Sequence, residues 1–216
     1  MSNKKQDSRT IKIALTGDAG VGKSSILNQY IDQRFDSEYL TTIGVDMQIK
    51  SFNHRDQPVM MHIWDTAGQE RFSAITSSYL RNIEAIVIVF SLDHRQSFAN
   101  IQKWIDIVKK ENINSDQLVY VIVGNKCDLP SYQIDINDNE VNDYVESLKK
   151  TNHNVIYVKV SAKKNINLSD IFVHIIEHRF KCDKENGNYV LKIDNNILVA
   201  VNDSMIDKKC PFCIIL

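Results

Sequence analysis

Short, densely apolar runs recur along the chain at residues 11–15, 85–90, 118–123 and 155–160. They are rich in Val and Ile, the pattern of strands covered on both faces of a parallel sheet. Between them Phe98, Ile101, Ile105 and Val108 repeat at helical spacing, as do Leu168, Ile171, Phe172, Ile175 and Ile176. Each stripe gives a helix one apolar face to lay on the sheet. One segment reads differently. Val45, Met47 and Ile49 alternate with polar residues, Asn53 to Gln57 interrupt, and Val59, Met61 and Ile63 alternate again. That predicts an antiparallel hairpin at a sheet edge. Strand, helix, hairpin and then repeated strand–helix units predict a doubly wound α/β architecture. Residues 1–8 read as a flexible N-terminus and residues 9–180 as one domain whose last helix ends near Phe180. Residues 181–216 read as a flexible tail with one short apolar stretch at 197–201.

Composition narrows the function. Lys plus Arg is 26 against 27 for Asp plus Glu, a formal net charge of −1, so the long-range field that general nucleic-acid binding relies on is missing. Four Cys in 216 residues, without framework spacing, do not read as a secreted disulfide scaffold. The first residues carry no apolar signal core, and no run of about 18 apolar residues occurs. The chain is expected to stay on the cytosolic side of membranes without spanning one. Ser2 stands where N-myristoylation needs Gly.

Chemistry concentrates after the first strand. Gly17-Asp18-Ala19-Gly20-Val21-Gly22-Lys23-Ser24 fits the G-x-x-x-x-G-K-S/T phosphate loop in its strand-to-helix setting. Glycines let backbone N–H groups curl round a polyphosphate, and the following helix points its positive end at the same charge. Lys23 supplies a cation to the terminal phosphates and the Ser24 hydroxyl a ligand to Mg²⁺. Of only seven glycines, three sit in this turn, which speaks against a chance match. A second constellation, Trp64-Asp65-Thr66-Ala67-Gly68-Gln69-Glu70, ends the hairpin. There Asp65 is placed to hold Mg²⁺, Gly68 to offer its N–H to a γ-phosphate, and Gln69 to orient an attacking water. Taken alone, this segment reads as well as a polar loop closing the sheet edge. A third, Asn125-Lys126-Cys127-Asp128 after Gly124, reads a base: a carboxylate accepts two hydrogen bonds from the N1–H and 2-amino group of guanine, a donor pair adenine lacks. The Lys126 stem lies along the purine face, and Ser161-Ala162-Lys163 offers a backbone N–H to the guanine O6.

With these motifs in this order over residues 9–180, the chain resembles a small GTPase of the Ras superfamily and, within it, the Rab family. The Rab resemblance rests on residues 43–47, on the run from Arg71 to Tyr79, and on Ser97-Phe98 followed by Trp104. It implies a mostly parallel six-stranded sheet with one antiparallel edge strand, five flanking helices and two switch segments. It implies Mg²⁺ with bound GTP or GDP, Ser25 among the phosphate contacts, Phe35 across the guanine edge, and Tyr39 over the phosphates. Thr42 would join Ser24 and Asp65 around the metal when GTP is bound. Hydrolysis would be slow, on the order of 10⁻⁴ to 10⁻³ s⁻¹, until a partner accelerates it. Implied partners are an exchange factor, an activating protein, effectors at the switch segments, a GDP-dissociation inhibitor and prenylation machinery; the chain is expected to be monomeric. Met47, where the family usually has Phe, and Leu80 and Asn82, in place of Tyr and Gly, touch the surface that partners read. Ala19 replaces a usual Ser.

Cys213-Ile-Ile-Leu fits the C-a-a-X rule with a final Leu favouring geranylgeranylation, and Cys210 offers a second lipid site beside Lys208 and Lys209. A redox pair or half a zinc site is the competing reading of this Cys-x-x-Cys. His174 and His178 read as a solvated helix face, Cys127 and Cys182 as ordinary small residues, and Trp64 and Trp104 as packing residues. Two other functions fit the chemistry: a Ras-like signalling GTPase at the plasma membrane, and a scaffold that holds GTP with little hydrolysis.

Overall fold

The computed structural model describes residues 9–36, 42, 44–54, 57–66, 79–112, 115–151, 154–181, 191–193 and 196–197. Six strands form the sheet's body: β1 (Arg9–Thr16), β2 (Val45–His54), β3 (Gln57–Thr66), β4 (Ala85–Ser91), β5 (Val119–Asn125) and β6 (Val155–Lys159). The helices are α1 (Lys23–Asp32), α2 (Arg95–Ala99), α3 (Ile101–Glu111), α4 (Asp138–Lys149) and α5 (Leu168–Lys181). Within that body the order is β6-β5-β4-β1-β3-β2, parallel except for the antiparallel β2–β3 hairpin. This is the expected doubly wound architecture. Every residue of β4 and β5 is buried, as their unbroken apolar runs require for central strands.

Alternation along the strands divides the core in two. Ile11, Ile13, Leu15, Val87, Val89, Val121 and Val123 meet Ile26, Leu27 and Tyr30 of α1 and Ile171, Phe172 and Ile175 of α5. Ile86, Ile88, Phe90, Tyr120 and Ile122 meet Ile101, Trp104, Ile105 and Val108 of α3 and Val141 and Val145 of α4. The stripe from Phe98 to Val108 spans two pieces: Asn100 separates α2 from α3. In the hairpin, β3 buries Val59, Met61 and Ile63, whereas Met47 and Ile49 of β2 stay 47% and 50% exposed. Beyond β2 the segment expected as a flexible tail contributes two short strands, β7 (Leu191–Ile193) and β8 (Asn196–Ile197). β7 pairs antiparallel with Asn53 and His54, because an edge strand leaves backbone groups free to accept a partner. No helix among the described residues is long and apolar enough to cross a membrane.

β1 has β3 on one side and β4 on the other, and the chain leaves it by a loop into α1. This is a topological switch point, where open α/β sheets leave a crevice at the strands' carboxyl ends. Parallel register places Asp65 level with Leu15, and Asn125 level with Ser91, so their side chains start beside the loop after β1.

Candidate functional site

The loop of residues 17–22 takes a path that needs glycine at positions 17 and 22. Gly17 has φ +137°, and a Cβ there would lie 2.1 Å from the Val89 carbonyl oxygen of β4. Gly22 has φ +96°, and its Cβ would lie 2.3 Å from Asn125 Nδ2. α1 then begins at Lys23 with no side-chain cap and no acidic residue in its first turn. Its positive end is therefore left to an anion.

Lys23 is buried, and its ammonium donates to the carbonyls of Gly17 at 2.9 Å and Asp18 at 2.8 Å. Burial lowers its pKa to about 8, against the opposing charges of Asp65 and Asp18. A buried ammonium held, among the described residues, by two carbonyls is a ready partner for phosphate oxygens. Beside it three oxygen ligands converge. Ser24 Oγ lies 2.7 Å from Thr42 Oγ1 and donates to Asp65 Oδ2. Asp65 is buried, its Oδ1 has no hydrogen-bond partner among the described residues, and burial raises its carboxyl pKa although Ser24 and Lys23 pull it down. Two hydroxyls and a carboxylate with an orphaned oxygen fit a hard divalent cation such as Mg²⁺.

The segment expected to read the base is built around Asn125, only 2% exposed. Its amide donates to the Val21 carbonyl at 2.9 Å and its oxygen accepts the Ala162 N–H at 3.1 Å. Of the segment 161–163, expected to offer a backbone N–H to the guanine O6, the Ala162 N–H is thus engaged by Asn125 here. Ser161 Oγ donates to Asp128 Oδ1 at 2.5 Å and accepts the Lys164 N–H at 3.0 Å, fixing the carboxylate against the turn after β6. Gly124 makes room underneath: a Cβ there would lie 2.9 Å from the Tyr157 hydroxyl. Lys126 adopts φ +69° and its ammonium lies 3.1 Å from Asp93, a partner sequence reasoning did not name. Partial burial opposes ionisation of Asp93, but the Ser91 and Lys126 contacts prevail and hold its carboxyl below the usual range.

The structure thus brings together residues 17–24, Thr42, Asp65, Asn125, Lys126, Asp128, Ser161 and Ala162. Ser25 is half-buried on α1, Phe35 is exposed past its end, and Lys163 is exposed in the turn after β6. Tyr39, Gly68, Gln69, Cys210 and Cys213 lie outside the described residues. Two further residues reach the loop unannounced: Asn100 and Trp104 both donate to the Asp18 carboxylate. The pair on the last helix is not wholly solvated, since His178 Nε2 lies 2.9 Å from Asn154 Oδ1. Burial raises the Cys127 thiol, which suits a packing residue better than a nucleophile.

Strand, glycine loop and uncapped helix at the switch point of a doubly wound sheet are the architecture of a phosphate-loop nucleotide-binding protein. The family model described as "Ras family" matches residues 12–181. GTP-binding protein yptV5 of Volvox carteri is 34% identical over 192 residues, covering 88% of this chain and 91% of that protein. Ras-related protein Rab-1D of Dictyostelium discoideum is 37% identical over 165 residues, 75% of this chain and 76% of its own. Ras-related protein SEC4 of Candida albicans is 34% identical over 183 residues, 81% of either chain. This chain belongs to the Ras family as a Rab-type small GTPase, which binds GTP and GDP and hydrolyses GTP.

Proposed function

We propose that the chain is a membrane-cycling switch in vesicle traffic, on when GTP occupies the pocket around Lys23 and off after hydrolysis. The observation that carries the reading is the convergence of Ser24, Thr42 and Asp65 beside the buried Lys23 ammonium. Thr42 comes from the segment after α1 and Asp65 from the end of β3, so a ligand engaging this cluster touches two separate parts of the chain. The loop amides and Lys23 hold the phosphates. Asp128 and Lys126 take the guanine, with Ser161 bracing Asp128. Mg²⁺, when bound, neutralises charge on the phosphates. Gln69 positions the attacking water, and Gly68 and Thr42 meet the γ-phosphate, so its loss releases both segments.

Partners would read the hairpin and the segment before β4. Trp64 and Tyr79 have ring centroids 6.4 Å apart, and Met47 faces Trp64 across the β2–β3 ladder. With Met47, Ile49 and Tyr79 exposed, this is an apolar surface suited to an effector. Exchange factor, activating protein and dissociation inhibitor follow from the same cycle. Cys213, with or without Cys210, supplies the anchor. Intact masses of protein from cells are expected to show a prenylated chain trimmed of its last three residues; an unmodified Ile-Ile-Leu end excludes that anchor.

The test of the function is the nucleotide that accompanies the protein through purification. GDP or GTP is expected, with added GTP converting slowly to GDP and phosphate. Material that ignores both at micromolar concentration overturns the reading.

A further inference from the structure

The phosphate loop carries a negative side chain, Asp18, where an anion is to be held. Both of its carboxylate oxygens are taken by donors from outside the loop. Asn100 Nδ2 donates to Oδ2 at 2.7 Å and the Trp104 indole N–H to Oδ1 at 2.9 Å. Asn100 stands at the break between α2 and α3. Trp104 lies one turn further on, 7% exposed and packed in the core cluster that holds Ile101, Ile105 and Val108. The donor is therefore rigid. The backbone carbonyl of the same Asp18 accepts from Lys23 at 2.8 Å, so side chain and main chain of one loop residue are tied to α3 and α1 respectively.

We propose that Asn100 and Trp104 are positioning residues for the nucleotide: they clamp the Asp18 carboxylate on the α3 side, hold the loop in its binding shape and keep that charge off the phosphates, and so slow nucleotide release. The proposal rests on the reading of this pocket as the GDP and GTP site. A free Asp18 carboxylate would both loosen the loop and repel the ligand, two effects of the same sign. A tryptophan that served only to fill the core would act independently of Asp18.

The test uses the full chain loaded with a fluorescent GDP analogue and chased with excess GDP. Trp104→Phe, which keeps an aromatic ring but loses the N–H, is expected to release the analogue about tenfold faster. Asn100→Ala is expected to act in the same direction. In an Asp18→Ala background, Trp104→Phe is expected to change release by less than roughly twofold, because its target is gone. Release at the wild-type rate in both single variants overturns the proposal. So does an acceleration of the same size with and without Asp18, which would make Trp104 a packing residue. Should Trp104→Phe fail to fold, Asn100→Ala with and without Asp18→Ala closes the same cycle. A wild-type chain that retains no GDP analogue overturns the pocket reading itself, and so is distinguished from failure of the clamp alone.

Discussion

Asp128→Asn is expected to weaken GDP and GTP roughly a hundredfold while strengthening xanthine nucleotides, because one hydrogen bond to a charged group, a contribution of about 1.5–3 kcal/mol, is lost and the other loses its charge. A carboxylate accepts from both the N1–H and the 2-amino group of guanine. An amide turns one of those acceptors into a donor, which matches the 2-oxo group of xanthine. The structure makes this a clean test, since Asp128 is held from the turn after β6 by Ser161. A hydroxyl can bond a carboxamide oxygen as well, so the loop survives the change. Competitive titration with the four diphosphates and triphosphates reads the outcome, and unchanged affinity for GDP would remove Asp128 from base recognition.

Gly17→Ala is expected to destabilise the protein by about 3 kcal/mol or more, lowering Tm by roughly 6–12 °C and abolishing nucleotide retention. Two causes act together. The backbone at φ +137° disfavours any L side chain, and the added carbon would lie 2.1 Å from the Val89 carbonyl, a backbone atom in the fully buried strand β4 that cannot step aside. Gly44→Ala is the control. It shares a positive φ, +84°, but a Cβ there meets nothing within 4 Å, so only conformational strain of about 1 kcal/mol is expected. Equal melting temperatures for the two variants would show that the loop does not press on β4 as described.

Much of this was legible in the sequence because its physics is local. Glycines spaced before Lys23 and Ser24 have few other uses, and the unbroken Val and Ile runs of β4 and β5 have one natural setting between two helical layers. The alternating hairpin was legible for the same reason, although alternation alone does not tell which of its strands buries its apolar side: β3 does, and β2 leaves Met47 and Ile49 outside. What escaped is non-local. That Asn100 and Trp104 reach Asp18 depends on two segments more than 80 positions apart meeting at the crevice. The Lys126–Asp93 pair depends likewise on neighbouring strands ending level. α4 carries only Val141 and Val145 as buried residues, too short a stripe to announce a helix, and its start is set instead by the Asn137 side chain accepting the Glu140 N–H. The strands β7 and β8 are three and two residues long and pair through main-chain groups, which leave no mark on side-chain pattern.

Asn125 gives the pocket a mechanical property. One buried amide joins the phosphate loop at Val21, the end of β5 that carries it, and the turn at Ala162. In the proposed reading, the parts that seat the phosphates and the base therefore share a keystone. On that reading a displacement of Val21 is expected to reach the turn at Ala162 through Asn125, so that the phosphate and base sides loosen together.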